Sequence, residues 1–290
     1  MLPVTVRQWL EAAVDTSVNR LSPCGGGFGA NVLRVTTEGA VYALKWAAGG
    51  PPVALISAEA HGLRTLAATA TINVPTVVAV LASDNGGPAA LLSTWLDGAG
   101  ASSDPVALGE QLAALHRQTA PAFGFEADNF IGGTPQVNGW QSSWPAFFRT
   151  QRLLPQIALA ATAGLLDAAR QRTLERLLTR LDDRLAVSGA PALIHGDLWR
   201  GNVLAGPGGR PALIDPAVSY SHREAEIAFT ELFGGFSPRF YAAYAATWPL
   251  EPDYVTRRPI YNLYHALNHL NLFGSSYLGL VDDLLRQCGV

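Results

Sequence analysis

Up to about Trp95 the apolar residues come in short runs broken by Gly and Pro, a pattern that predicts strands. Val32-Leu33-Arg34-Val35 and Val41-Tyr42-Ala43-Leu44-Lys45-Trp46 are two of them. Residues 74–81 and 89–94 predict two more, and the turn Asp84-Asn85-Gly86-Gly87-Pro88 between them signals a hairpin. One helix is expected in this region, over 57–69, with Leu63, Leu66 and Ala67 on one face. A small-residue linker, Trp95-Leu96-Asp97-Gly98-Ala99-Gly100, then separates this region from helical apolar spacing that begins at Pro105. Residues 157–169, rich in Ala and Leu, read as a buried helix, and helices prevail afterwards except around 193–216. The pattern predicts an α+β chain in two parts: a mainly β part with one helix over 1–95, and a larger, mainly helical part over 96–290. No internal repeat is visible.

The stretch 193–216, LIHGDLWRGNVLAGPGGRPALIDP, carries the chemistry. It reads as an apolar strand end, a polar loop, a second apolar strand beyond a Gly/Pro turn, and an acidic residue. Asp and Asn favour turns in any loop. Here, however, Asp197 and Asn202 also have the spacing of a kinase catalytic loop, in which the Asp accepts the proton of an attacking hydroxyl and the Asn holds Mg²⁺. Asp215 falls where a second metal-binding carboxylate belongs. Protein kinases read His-Arg-Asp and Asp-Phe-Gly at these points; this chain reads His195-Gly196-Asp197 and Ile214-Asp215-Pro216, the form of small-molecule kinases related to aminoglycoside phosphotransferases.

Charge composition sharpens this. Lys45 is the only lysine among twenty basic residues. It lies in a strand-like run, where a compact ammonium can pair with nucleotide phosphates and a planar guanidinium fits poorly. Upstream, Gly25, Gly26, Gly27, Phe28 and Gly29 form a glycine-rich turn with no strand clearly preceding it, able to bring backbone N–H groups close to phosphate oxygens. It is equally what a plain flexible turn looks like. Val32 replaces the third Gly of a dinucleotide fingerprint, and Trp46 after Lys45 excludes a Walker-type loop. Glu59, on the expected helix, is the natural ion-pair partner of Lys45, although a solvated surface Glu would look the same. Backbone groups of Thr94, Trp95 and Leu96 would meet an adenine ring at the boundary between the two parts.

The remaining features exclude more than they add. A formal net charge of −3 leaves no basic footprint for nucleic acid. Cys24 and Cys288 form neither a disulfide framework nor a zinc quartet, which suits a reducing, cytoplasmic setting. The first fifteen residues carry Arg7, Glu11 and Asp15 and do not read as a signal peptide; no segment reads as a membrane span. His265 and His269 are spaced to chelate a metal on a helix but lack the Glu of H-E-x-x-H, so packing is the expectation. Tyr241, Tyr244, Trp248, Tyr254, Tyr261, Tyr264 and Phe273 are expected mostly in a helical core.

These residues together resemble the fructosamine/ketosamine kinase family. The resemblance rests on His195-Gly196-Asp197-Leu198-Trp199-Arg200-Gly201-Asn202 with its internal Trp, on Pro135-Gln136-Val137-Asn138-Gly139-Trp140, on Glu231-Leu232-Phe233-Gly234-Gly235-Phe236, and on Tyr261 through His269; it covers nearly the whole chain. It implies a bilobal protein-kinase-like fold and phosphorylation, with ATP and Mg²⁺, of the sugar 3-hydroxyl of ketosamines. Ribulosamine, erythrulosamine and fructosamine adducts, free or on proteins, are the expected substrates. The phosphorylated adduct falls apart, so the activity is one of deglycation. By phosphoryl-transfer chemistry Lys45, Glu59 and the glycine turn would handle the phosphates, Asn202 and Asp215 the metal, and Asp197 the proton. His195 and Glu226 would brace the loop. Trp199 would stack on the sugar or, alternatively, pack beneath the loop. Phe28 falls where eukaryotic members often have a cysteine, which puts redox control in doubt, and Arg200 stands where some relatives have Ser. The residue pattern leaves two alternatives: a kinase of the aminoglycoside, choline or homoserine type, or a non-catalytic ATP-binding module. A metallohydrolase using Asp197, Asp215, His265 and His269 is a more distant one. Neither nucleic acid nor membrane is an expected partner.

Overall fold

A computed structural model describes residues 2–83, 86–96 and 103–290. Part of the expected hairpin turn (Asp84, Asn85) and most of the expected linker (97–100) lie outside the described residues. The chain divides into two compact units. One runs through Asp104 and resumes over Asn202–Pro216; the other comprises Pro105–Gly201 and Ala217–Val290.

The first unit is built on an antiparallel five-stranded sheet, ordered β1-β2-β3-β5-β4. Its strands are β1 (Val18–Gly27), β2 (Ala30–Thr37), β3 (Val41–Ala47), β4 (Val77–Leu81) and β5 (Ala89–Thr94). Two helices cover it, α1 (Val4–Val14) and α2 (Pro52–Ala68). Alternation along the strands divides the core between the faces. Val35, Leu44, Trp46, Ala90 and Leu92 pack with Val6 and Leu10 of α1. Ala47, Ala89 and Leu91 pack with Ile56, Ala60 and Leu63 of α2.

Three features of this unit differ from the sequence reading. There are two helices rather than one: Val6 and Leu10 are one turn apart and fully buried, so α1 is held by tertiary packing. α2 starts at Pro52, not near residue 57, because a Pro in the first turn lacks only an N–H that had no partner anyway. A strand does precede the glycines; Gly25 to Gly27 themselves pair with Val32 to Ala30, with ladder irregularities at Val18/Arg20 and Pro23/Gly25.

The division also differs from the expected 1–95 and 96–290. Strands Val203–Ala205 and Pro211–Leu213 form a hairpin attached to the first unit. Leu213 N–H donates to the Asn73 carbonyl at 2.9 Å, and the Asn73 amide donates to the Pro211 carbonyl at 3.0 Å. These long-range hydrogen bonds are invisible to local periodicity.

The second unit is mainly helical: α3 (Pro105–His116), α4 (Trp144–Phe147), α5 (Leu154–Thr162), α6 (Ala168–Leu178), α7 (Leu181–Arg184), α8 (Arg223–Leu232), α9 (Pro238–Thr247), α10 (Tyr254–Phe273) and α11 (Leu278–Gln287). A π-helical segment, Phe148–Leu153, joins α4 to α5. Residues 157–169 are not one buried helix: α5 ends at Thr162, and Asp167 caps α6 by accepting from Arg170 N–H. Strands Ala192–Ile194 and Ser219–Ser221 pair antiparallel and bracket the stretch that opens with His195-Gly196-Asp197. Among the described residues no helix is long and apolar enough to cross a membrane.

Candidate active site

Strand alternation aims Lys45. Leu44 and Trp46 point to the α1 face, so Ala43, Lys45 and Ala47 point to the α2 face. Glu59, one residue before the buried Ala60, is presented from α2 to the same face. Lys45 Nζ lies 2.5 Å from Glu59 Oε2 and 2.9 Å from Asp215 Oδ1. Burial alone would lower the Lys45 value, but the two carboxylates more than reverse this and raise it. Glu59 is pushed up to about 7, chiefly by burial, with Asp215 adding to the rise and Lys45 opposing it. One ammonium therefore holds two carboxylates that would otherwise repel. Asp215 adopts a left-handed backbone, φ 53°, which Asp tolerates better than most residues and which commonly marks a functional position.

A cavity of about 440 Å³ opens beside this cluster. Of the residues expected to bind nucleotide, Gly26, Gly27, Phe28, Lys45, Thr94, Trp95 and Leu96 line it, together with Glu59 and Asp215. Gly25 and Gly29 belong to the hairpin but not to the lining. The glycine turn narrows to two residues, since Gly27 pairs with Ala30. Phe28 and Gly29 both have positive φ, 49° and 83°, as a two-residue hairpin turn of the primed kind requires. The Thr94 and Trp95 amides are already engaged, donating to the Thr76 and Val41 carbonyls at 3.0 and 3.2 Å. Leu96 is the one of the three whose amide has no hydrogen bond among the described residues.

Sequence reasoning missed other lining residues, among them Cys24, Val32, Ala43, Ser93, Leu204 and Ile214. Ala43 was legible, two residues from Lys45 on the same strand face. Val32 and Ser93 face Lys45 and Ala43 through ladder register, which no local signal specifies. Asn202 belongs to this unit as well; it is buried, and its carbonyl accepts from Ile214 N–H at 3.1 Å.

The second unit carries the rest of the loop. Its N-terminal anchor is Glu226, whose carboxylate accepts from His195 N–H at 3.0 Å and Gly196 N–H at 2.6 Å. Burial alone would raise the Glu226 carboxyl, but His116, His195 and the Gly196 amide draw it below the usual range, so it stays ionised. Asp197 N–H donates to His195 Nδ1 at 3.3 Å, and the Asp197 carbonyl accepts from Trp199 N–H at 3.1 Å. Gly196 has φ 86°, and a Cβ there would collide with the Ala217 carbonyl, whose own N–H donates to the His195 carbonyl at 2.8 Å. Trp199 is 46% exposed, its ring lying over Gly201.

His265 is stacked on Phe229 with centroids 3.5 Å apart, and His269 donates from Nδ1 to the His265 carbonyl at 2.8 Å. Tyr244, Tyr254, Tyr261 and Tyr264 are buried, and Phe273 is exposed.

A lysine on a β-strand paired to a helical glutamate and to Asp215, with a glycine hairpin lining the same cavity, is the arrangement of a protein-kinase-like phosphotransferase. The same fold occurs in an aminoglycoside phosphotransferase, with a TM-score of 0.67 at 17% identity over 98% of this chain and 99% of that one. Residues 1–289 match the fructosamine kinase family. The chain is 40% identical over 281 residues to an Enterococcus faecium protein described as a probable ketoamine kinase, covering 94% of this chain and 97% of that one. It is 34% identical over 291 residues to the chloroplastic protein-ribulosamine 3-kinase of Arabidopsis thaliana, covering 97% and 88%. A Thermobifida fusca protein described as a fructosamine-3-kinase has a TM-score of 0.87 at 32% identity over 98% of each chain. The chain belongs to the fructosamine kinase family.

Proposed function

We propose that this protein uses ATP to phosphorylate the sugar 3-hydroxyl of ketosamines, small or protein-bound, so that the adduct is released from its amine. The observation that carries the reading is Lys45, the single lysine of the chain, poised between Glu59 and Asp215 at the wall of a nucleotide-sized cavity. The family supports the ketosamine as acceptor, and the plant relative's name supports a ribulosamine in particular.

In this reading the first unit handles nucleotide and the second the acceptor. Lys45, oriented by Glu59, binds the α- and β-phosphates; N–H groups of the glycine hairpin, whose Gly26, Gly27 and Phe28 line the cavity, cover them, and the Leu96 amide meets the base. The Asp215 carboxylate and the Asn202 side-chain oxygen, both hard donors, suit Mg²⁺. When bound, that ion neutralises charge on the β/γ-oxygens. Asp197 accepts the hydroxyl proton and orients the nucleophile, and Trp199, exposed on the loop, offers its face to the sugar. Because the transition state is loose, positioning and electrostatics carry most of the acceleration. A reducing, cytoplasmic setting is part of the proposal and is compatible with Cys24 and Cys288 both being free thiols.

The test is ATP turnover against ribulosyl-, erythrulosyl- and fructosyl-lysine, alongside an aminoglycoside, choline and homoserine. At least one ketosamine should be phosphorylated with a kcat/KM well above all three of the others. Preference for any of those three would overturn the reading, and Mg·ATP binding with no turnover on any acceptor would point to a binding module.

A further inference from the structure

Three helices of the second unit direct polar side chains into one buried region. His116 of α3 is fully buried; Arg223 and Glu226 of α8 and Tyr244 of α9 are 4%, 2% and 2% exposed. α3 and α9 approach so closely at Gly109 that a Cβ there would lie 2.9 Å from the Tyr244 nitrogen. His116, two turns beyond Gly109 on the same face of α3, thereby meets the Tyr244 ring edge-on, centroids 5.5 Å apart.

The hydrogen bonds form one chain. Arg223 Nη1 lies 3.2 Å from the Tyr244 hydroxyl, that hydroxyl 2.7 Å from His116 Nδ1, and His116 Nε2 3.0 Å from Glu226 Oε2. Chemistry assigns the protons. The Glu226 carboxylate accepts only, so His116 must donate from Nε2. Burial holds His116 below its ordinary value, so the ring is neutral and its Nδ1 is an acceptor. Tyr244, pushed up to about 12 by burial, keeps its proton and donates it to Nδ1. Its oxygen accepts from Arg223. The chain is therefore polarised from a guanidinium at one end to a carboxylate at the other, and the carboxylate end grips the N–H groups of His195 and Gly196.

We propose that His116 and Tyr244 are positioning residues for phosphoryl transfer. They fix the orientation of Glu226, which fixes the main chain leading into Asp197; the inference rests on the functional reading in which Asp197 takes the proton. Apolar side chains could fill this space at little or no loss of stability. They could not hold a carboxylate with both oxygens aimed at two successive amides. Arg223 secures the far end, donating to the Trp248 and Pro249 carbonyls and lying over the Trp248 ring at 4.4 Å.

Three variants test this: Tyr244→Phe, which removes one oxygen; His116→Leu, which breaks the chain; and His116→Gln, whose amide can still donate to Glu226 and accept from Tyr244. Each is assayed for kcat, for KM of the best ketosamine, for the Kd of Mg·ATP by calorimetry, and for amide hydrogen exchange at His195 and Gly196 without ligands. His116→Leu should lower kcat by about 10²-fold, the scale of a small misplacement of a reacting group. Tyr244→Phe should lower it by roughly 5–20-fold, the equivalent of about one buried hydrogen bond. Mg·ATP affinity should stay within about twofold, since the Lys45 cluster is in the other unit, and His116→Gln should recover most of the loss. Exchange at His195 and Gly196 should quicken in the same rank order. The proposal is overturned if Gln rescues no better than Leu, if kcat is unchanged, or if nucleotide affinity falls in step with kcat. Should His116→Leu fail to fold, Tyr244→Phe, nearly isosteric, decides by the same criteria. If the wild-type protein phosphorylates no ketosamine, the functional reading fails, and the exchange measurement still decides whether this chain of residues holds the loop.

Discussion

Replacing Lys45 by Met should destabilise the protein in a strongly pH-dependent way, because the ammonium holds together two carboxylates, at 2.5 and 2.9 Å. Glu59 has a folded value of about 7 against an ordinary 4.5. Its folded-state value being the higher one, its protonation favours folding: that contribution is complete below about pH 4.5 and is lost as pH rises through about 7. The difference corresponds to a cost on the order of 3 kcal/mol for ionising Glu59 in the native protein, at 1.36 kcal/mol per unit. Without Lys45 the carboxyl loses a charged hydrogen bond, typically about 1.5–3 kcal/mol, and its value climbs by about another one to two units. At pH 5.5 Glu59 is largely protonated in both proteins, and the variant loses mainly the pairing with Asp215. At pH 9 the wild-type Glu59 is ionised against Lys45, while the variant must hold a proton or place two bare carboxylates together. The deficit should thus be about 1.5–2.5 kcal/mol larger at pH 9 than at pH 5.5. At roughly 2–4 °C per kcal/mol, this is an additional loss of about 3–10 °C in Tm. Scanning calorimetry of both proteins at the two pH values measures it. An equal deficit at both, or a larger one at pH 5.5, would refute the coupling of Glu59 to Lys45.

Lys45→Arg keeps the charge but should cut kcat/KM sharply, since a planar fork cannot take the position of an ammonium between Glu59, Asp215 and phosphates; steady-state kinetics check this, and full retention would make the lone lysine incidental. Asp197→Asn should lower kcat by roughly 10²–10⁴ with the Kd of Mg·ATP nearly unchanged, and near-normal turnover would remove Asp197 from the role of base. Gly196→Ala, at φ 86° and against the Ala217 carbonyl, should cost about 2–5 kcal/mol in urea unfolding; an unchanged midpoint would mean that the turn can relax. Trp199→Ala should raise the KM for ketosamine by the equivalent of about 1–3 kcal/mol while leaving Tm and nucleotide affinity nearly unchanged, and a large loss of Tm would return the ring to a packing role.

What the sequence disclosed and what it hid separate along a physical line. Lys45 and its strand were legible because alternation is local, and Asp197, Asn202 and Asp215 stood out through a spacing that the proposed phosphoryl transfer would require. α1 stayed hidden, since Val6 and Leu10 become a helix face only when the sheet exists to cover them. β1 was obscured because glycines carry no strand propensity; pairing with β2 imposes the strand on them. The same distinction applies to the loop itself. His195, Gly196 and Asp197 announce themselves in the eight letters from His195 to Asn202, but the groups that hold them do not: Glu226 is thirty residues downstream of Gly196, and His116 and Tyr244 are 128 residues apart. Nothing in a run such as Ala114-Leu115-His116 marks a buried imidazole whose two nitrogens face a phenol and a carboxylate. Reacting groups can be read from spacing, because chemistry constrains them directly. Groups that aim them are constrained only by where helices come to rest, so they emerge from packing, here from the glycine at position 109 that lets α3 close on α9.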